Sequence, residues 1–273
     1  MIARSIPKAT NTESDEQYMN ESIQINNVIA IRFSLRMKKE WLQKAYGDEA
    51  NREAWFAMRA DIFKNWIGRA ISEQTVKVHR VVVFMDTEDT YLWDKYLDLP
   101  LPFVPIFTTA ADQASRLREF LYAENIKNIV LSRVDSDDTI AIDYIENLNR
   151  DVAALIEAGE RRRYIVACNG FVTNLTEIQS LYHNCCPFVS LYIKDYDGSV
   201  IYDFEHLKIL GRNPVLNQNS SWMQIIHGSN IANKLHRKSR FDSDDVRKMI
   251  IGPNLPVETS WPAGFFGIDS QPQ

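Results

Sequence analysis

Twice this chain sets three carboxylates within four positions. Asp135, Asp137 and Asp138 do so in VDSDDT, and Asp242, Asp244 and Asp245 do so in FDSDDV. Acids crowded in this way repel: at an effective dielectric near 20, two unit charges about 4 Å apart cost roughly 4 kcal/mol. Protonation or a cation relieves that cost, and hard oxygen ligands suit Mg2+ or Mn2+. The settings of the two runs differ. VDSDDT ends the apolar run NIVLSRV (Asn128 to Val134), which reads as a strand; in open α/β sheets, ligands bind beyond the carboxyl ends of strands. Ser136 or Asp138 can also cap a long helix expected over Thr139 to Glu160, whose positive end favours acids. FDSDDV instead follows the charged HRKSR and precedes VRKMII. Asp242 or Ser243 as N-cap accounts for it, with Arg247 and Lys248 toward the other end.

The elements that must position these acids follow from periodicity. NNVIAIRFSL (Asn26 to Leu35) and Val81 to Met85 read as buried strands, the second stopping at Asp86. Between them Trp55, Met58, Ile62, Phe63, Trp66 and Ile67 recur at three-and-four spacing, one face of an amphipathic helix packed on a core. Pro102 to Thr109 suits an edge strand because of its prolines. A helix over Ala110 to Asn125 sets Ala114, Leu117 and Leu121 on one side. Strands alternating with helices predict a mostly parallel sheet with helices on both faces. In the second half, Arg163 to Leu175 and Pro187 to Phe204 read as strands, the latter a hairpin around Asp197-Gly198. Trp222 to Asn230 adds one short apolar run, and the tail from Gly252 is rich in Pro and Gly.

Two segments, Ile67 to Thr90 and Ile129 to Leu148, resemble the nucleotide-sugar half of GT-A glycosyltransferases. The shared pattern is a helix ending near Ser72, Gln74 and Thr75, a strand stopping at Asp86, and an apolar strand ending in Asp135-Ser136-Asp137. The chain is most similar to the putative rhamnosyltransferase family, through Arg32-Phe33-Ser34, the run Arg133 to Asp138, and Gln224-x-x-His227-Gly228-x-Asn230. That resemblance implies a GT-A-like fold: a mixed, mostly parallel sheet flanked by helices, with a smaller antiparallel β region in the C-terminal half. Residues 1–24 form a polar leader and 25–273 one domain, with 25–150 as the nucleotide-sugar half and 151–273 as the acceptor half and tail.

The implied activity is metal-dependent transfer of a sugar from a nucleoside-diphosphate sugar to a hydroxyl acceptor, such as a glycan or polysaccharide precursor. A divalent cation, Mn2+ or Mg2+, stabilises the departing diphosphate. The resemblance makes Asp137 the direct metal ligand, Asp135 a ligand through water or a ribose contact, and His227 the third ligand; otherwise His227 is a satisfied histidine at a strand end. Asp86 then contacts base or ribose, and Arg32 and Arg133 the nucleotide, although Arg32 is equally read as a surface ion pair. From residue 206 to residue 241 the chain has no acid but holds Lys208, Arg212, Lys234, Arg237, Lys238 and Arg240. This is either a solvated basic loop or a diphosphate site served by Lys234, Arg237 or Arg240. An inverting transferase also needs a base; Asp195, Asp197, Asp203 and Glu205 are candidates that nothing ranks. Trp222 and Tyr192 suit core packing better than acceptor stacking.

Composition bounds the alternatives. At 273 residues with net charge −5, no global basic field points to nucleic acid. The three cysteines, Cys168, Cys185 and Cys186, form no disulfide framework and no zinc motif and read as reduced thiols. No apolar run reaches the length of about 20 residues that a membrane span needs, and the expected compartment is the cytoplasm. A nucleotidyltransferase on a related sheet is the second enzymatic reading. It usually carries a Gly-rich loop after the first strand, where this chain reads RFSLRMKKEW. A non-catalytic sugar- or partner-binding domain is the third.

Overall fold

The computed structural model describes residues 24–173, 178–184, 186–203 and 206–226. One sheet runs through them in the order β3-β2-β1-β4-β8-β6-β9-β5, with β7 paired to β6. Its first part is parallel. β1 (Asn26–Arg32) lies between β2 (Arg80–Asp86) and β4 (Ile129–Asp135), and β3 (Phe103–Thr108) follows β2. Val28 to Ile31, Val81 to Met85 and Ile129 to Leu131 are fully buried, as expected of strands covered on both faces. β3 carries Pro105 at the sheet edge, where a missing N–H breaks no ladder. The second part is mixed. β8 (Val189–Ile193) pairs antiparallel to β4, β6 (Arg162–Thr173) antiparallel to β8, and β7 (Ile178–Tyr182) antiparallel to β6. β9 (Val215–Ile225) runs parallel to β6 and antiparallel to the short β5 (Asp138–Ile140).

Four helices matter for the site. α1 (Lys39–Ala45) follows β1 and buries none of its residues. α2 (Arg52–Phe63) continues through a π-turn at Lys64–Gly68 and a last turn at Arg69–Ser72. α3 (Gln113–Ala123) buries Leu117 and Leu121, with Ala114 packed alongside. α4 (Tyr144–Glu157) buries Tyr144, Ile145, Leu148, Val152 and Leu155 at helical spacing. Gln74 fixes the start of α4 from outside. Its Oε1 accepts from Ile145 N, while its Nε2 donates to the carbonyls of Ala70 and Ala141. The Gln74-Thr75 pattern is thus a cap supplied at a distance, where Asp143 at the helix's own N-cap position makes no side-chain bond.

Several expectations are corrected. The helix after VDSDDT begins at Tyr144, not at Thr139, so neither Ser136 nor Asp138 caps it. Asp138 to Ile140 form β5 because Thr139 and Ile140 are β-branched and fully buried against β9. The hairpin around Asp197-Gly198 does not form. Left-handed backbone at Asp195 and Gly198 turns the chain back, and Asp203 accepts from Val200 N to close a 3-10 turn at Ile201–Asp203. β9 starts seven residues before the apolar run beginning at Trp222, because Val215 to Asn217 already pair with β6 and the ladder resumes at Ser221 after an irregularity. Trp222 and Tyr192 are core: Trp222 stacks on Phe188 with centroids 4.6 Å apart, and its Nε1 donates to Ala167 O. Cys168 and Cys186 are free and buried. Among the described residues, no helix is long and apolar enough to cross a membrane. The leader, the tail and the second DSDD run lie outside the described residues.

Candidate functional site

The order β3-β2-β1-β4 fixes where a crevice opens. From β1 the chain steps outward to β2 and β3, then crosses back to lay β4 on the other side of β1. Connections therefore diverge between the carboxyl ends of β1 and β4, the switch point at which open α/β sheets bind ligands. Arg32 and Asp135 are the last residues of those two strands and are register partners. Asp86 ends β2, two residues beyond the partner of Arg32. Pairing of β4 with β8 stops at Arg133, which bares the strand end on that side too. The chain then turns at Ser136 and Asp137 and leaves as β5 to join a different part of the sheet.

The three acids of this turn have different fates. Asp138 is 1 % exposed and accepts from Ile225 N at 3.3 Å, tying β5 to β9. Burial, and then the charges of Asp137 and Asp135, push its carboxyl well above the usual carboxylate range, which favours the neutral form. Asp135 and Asp137 face outward, with side chains 35 % and 17 % exposed. Asp135 Oδ1 accepts from Arg133 Nη2 at 3.2 Å. Asp137 Oδ2 accepts from Arg59 Nη1 at 2.6 Å, and the other arm of Arg59 donates to Ser136 Oγ.

The cations are as ordered as the acids. Arg32 donates through Nε to Gln113 Oε1 at 2.8 Å and lies 4.4 Å over the Tyr202 ring. Burial lowers its pKa, with Arg133 adding to the effect and Tyr202 and Asp135 opposing it. Burial also disfavours the charge on Arg133, but Asp135 and Tyr202 outweigh it and raise the pKa. Tyr202, half-buried, is pushed up to about 12 by burial, and its hydroxyl donates to Ala30 O. Asp86 caps the turn Thr87–Asp89 by accepting from Glu88 N and pairs with Arg36, which also reaches Glu49 and Glu88. Arg52 is held by Asp89, Ser34 O and the Tyr46 hydroxyl.

The structure thus brings Arg32, Asp86, Arg133, Asp135 and Asp137 to one edge. It does not bring Asp195 and Asp197 there. Both follow β8 at the end paired with Ile129, about 20 Å from Asp135 by strand rise. Asp195 pairs with Arg161 and Asp197 with Arg162, while Asp203 is tied to Arg118 of α3. Glu205, His227, Lys234, Arg237 and Arg240 lie outside the described residues. Among the described residues no group of three His, Cys, Asp or Glu converges. Asp135 and Asp137 are nonetheless hard oxygen donors with one residue between them, both part-exposed, and their charges add to burial in raising the pKa of Asp138. That donor chemistry fits Mg2+ or Mn2+. Arg36, Arg59, Gln113 and Tyr202 escaped the sequence reading. The usable signal for Arg59 was a buried α2 stripe of Arg52, Phe56, Arg59 and Phe63, in which two arginines recur at helical spacing.

The family model described as "Putative rhamnosyl transferase" matches residues 28–239. None of the curated proteins compared matches the sequence. Among solved structures, similarity is found to a putative nucleotide-diphospho-sugar transferase from Desulfovibrio desulfuricans G20, at 11% identity and TM-score 0.37, covering 74% of this chain and 81% of that one. S. aureus TarS 1-349 is similar at 10% identity and TM-score 0.37, covering 73% and 60%. A CMP:2-keto-3-deoxy-manno-octonic acid synthetase complexed with CTP is similar at 8% identity and TM-score 0.35, covering 74% and 90%.

Proposed function

The chain belongs to the family described as "Putative rhamnosyl transferase", and we propose that it moves a sugar from a nucleoside-diphosphate sugar to a hydroxyl acceptor, with the crevice between β1, β2 and β4 as its donor site. The observation that carries this reading is the alignment of Arg32, Asp86 and Asp135 at the carboxyl ends of three parallel strands, with Asp137 in the turn beyond. The family agrees with the resemblance carried by Arg32 to Ser34 and Arg133 to Asp138.

In the transfer, the acceptor oxygen forms a bond to the anomeric carbon. The anomeric C–O bond to the diphosphate breaks, its electron pair leaves with the diphosphate, and the acceptor loses a proton. Asp135 and Asp137, joined by His227, would hold a divalent cation, which when bound stabilises charge on the leaving diphosphate. Arg32 and Arg133 set fixed positive charge beside that position, in a setting half withdrawn from water where it acts strongly. Asp86, held by Arg36, offers a carboxylate oxygen to the base or ribose. Lys234, Arg237 and Arg240 are assigned to the phosphates. The loop after β1 supplies no glycine-rich backbone for a nucleoside triphosphate, and its Arg36 closes on Asp86 instead.

The test is a panel of sugar nucleotides with Mn2+, read by thermal shift and by release of nucleoside diphosphate. One donor is expected to raise the melting temperature and be split with acceptor present. Turnover of a nucleoside triphosphate with a sugar phosphate, and of no sugar nucleotide, would overturn the assignment.

A further inference from the structure

We propose that Arg59 makes cation binding and diphosphate binding depend on each other, holding Asp137 until a diphosphate is present to take its guanidinium. The inference rests on the donor-site reading above and goes beyond it, to a positioning residue and a binding order. Arg59 lies on α2 at 9 % exposure, with one arm on Asp137 Oδ2 at 2.6 Å and the other on Ser136 Oγ. Its guanidinium carbon is 5.8 Å from the Trp55 ring centroid, which borders it on the helix side. The helix itself is fixed: Arg52, on the same face two turns earlier, is bound by Asp89 and Ser34 O. Arg59 therefore cannot follow Asp137 outward without breaking these contacts.

Asp137 is also the direct cation ligand of the donor-site reading. A divalent ion at its carboxylate would sit beside a guanidinium already bound to that group, and the like charges oppose each other. An ion entering alone must loosen the Arg59 contact, and a mostly buried guanidinium that loses a carboxylate partner is costly. A diphosphate entering with the ion removes that cost, because its oxygens accept the same paired N–H donors. Arg32 does not compete in this way, being engaged by Gln113 and Tyr202, and Arg133 meets Asp135 through one longer contact at 3.2 Å, against 2.6 Å between Arg59 and Asp137. Cation and diphosphate should then raise each other's affinity by the same factor, as linkage requires.

The experiment compares the full-length wild type with Arg59→Met and Arg59→Lys. Electron paramagnetic resonance of free Mn2+ gives the affinity for Mn2+ alone. Calorimetry gives the affinities for UDP, GDP and dTDP with and without saturating Mn2+. We expect Arg59→Met to bind Mn2+ alone about tenfold more tightly than wild type, and the mutual enhancement to fall by a similar factor, within the range usual for coupled sites. Arg59→Lys should keep most of the enhancement. If Arg59→Met does not fold, Ser136→Ala removes one anchor of the same guanidinium and should shift Mn2+ affinity in the same direction. Wild-type binding of a diphosphate with Mn2+, together with unchanged or weaker Mn2+ affinity in the folded variant, would overturn the role of Arg59 alone. A wild type that binds none of the three diphosphates with Mn2+ would overturn this inference together with the donor-site reading.

Discussion

Three aspartates within four positions do three jobs because their surroundings differ. Asp138 is sealed between strands, where burial raises its pKa and favours the neutral form, so a neutral isostere should serve it well. Asp138→Asn keeps an oxygen for Ile225 N, whereas Asp138→Ala leaves that buried donor unmatched, at about 1–3 kcal/mol. Denaturant unfolding of the two variants should differ by that amount, and equal stabilities would show that the bond to Ile225 N contributes nothing. Asp137 and Asp135 are each met by an arginine, which is also why their roles were only half readable in the sequence. Three acids after an apolar run mark a strand end and a candidate ligand set. Nothing local reveals that a guanidinium 78 residues earlier grips Asp137. Likewise Arg32 was read as either a surface ion pair or a nucleotide contact, and its actual neighbours, Gln113 and Tyr202, arrive from α3 and a distant 3-10 turn.

At the level of elements, β3, β6 and β8 were legible as strands, and most plainly legible were those covered on both faces, β1, β2 and β4. There the chain needs an unbroken apolar run, whatever lies beside it. The strands misread are those whose partner decides them. Thr139 and Ile140 sit next to a helical pattern and become β5 only because β9 lies alongside, as Asp138 opposite Gln224 shows. Polar Asn217 and Ser221 become strand because β6 offers a ladder on both sides of an irregularity. Two positions test how these junctions hold. Gln74→Ala removes the external cap of α4 and bonds to two carbonyls, and should cost about 2–4 kcal/mol, whereas exposed Thr75→Ala should cost only a few tenths. At Gly170 an added Cβ would fall 2.2 Å from the Trp222 ring. Gly170→Ala should therefore lower stability by about 1–3 kcal/mol through overpacking. Thermal or denaturant melts that leave either variant at wild-type stability would contradict the junction concerned.

Across the whole molecule, one sheet separates two edges. Its carboxyl end gathers Arg32, Asp86, Asp135 and Asp137. Its opposite end carries Asp195 and Asp197, paired with Arg161 and Arg162. Sequence proximity to the acceptor half made those two acids candidates for a base, and strand direction separates them from the donor crevice. Asp195→Asn and Asp197→Asn should leave nucleotide binding and turnover within about twofold of wild type, since exposed pairs of this kind contribute about 1 kcal/mol or less. A large loss of kcat in either would mean that the reacting sugar lies elsewhere than the crevice. The most direct test of the donor site is calorimetric titration of UDP, GDP and dTDP with Mn2+ into wild type, Asp137→Ala and Asp244→Ala. The account predicts that one diphosphate binds wild type and Asp244→Ala alike and that Asp137→Ala loses the Mn2+-dependent binding; equal loss in both variants, or none in Asp137→Ala, would contradict it.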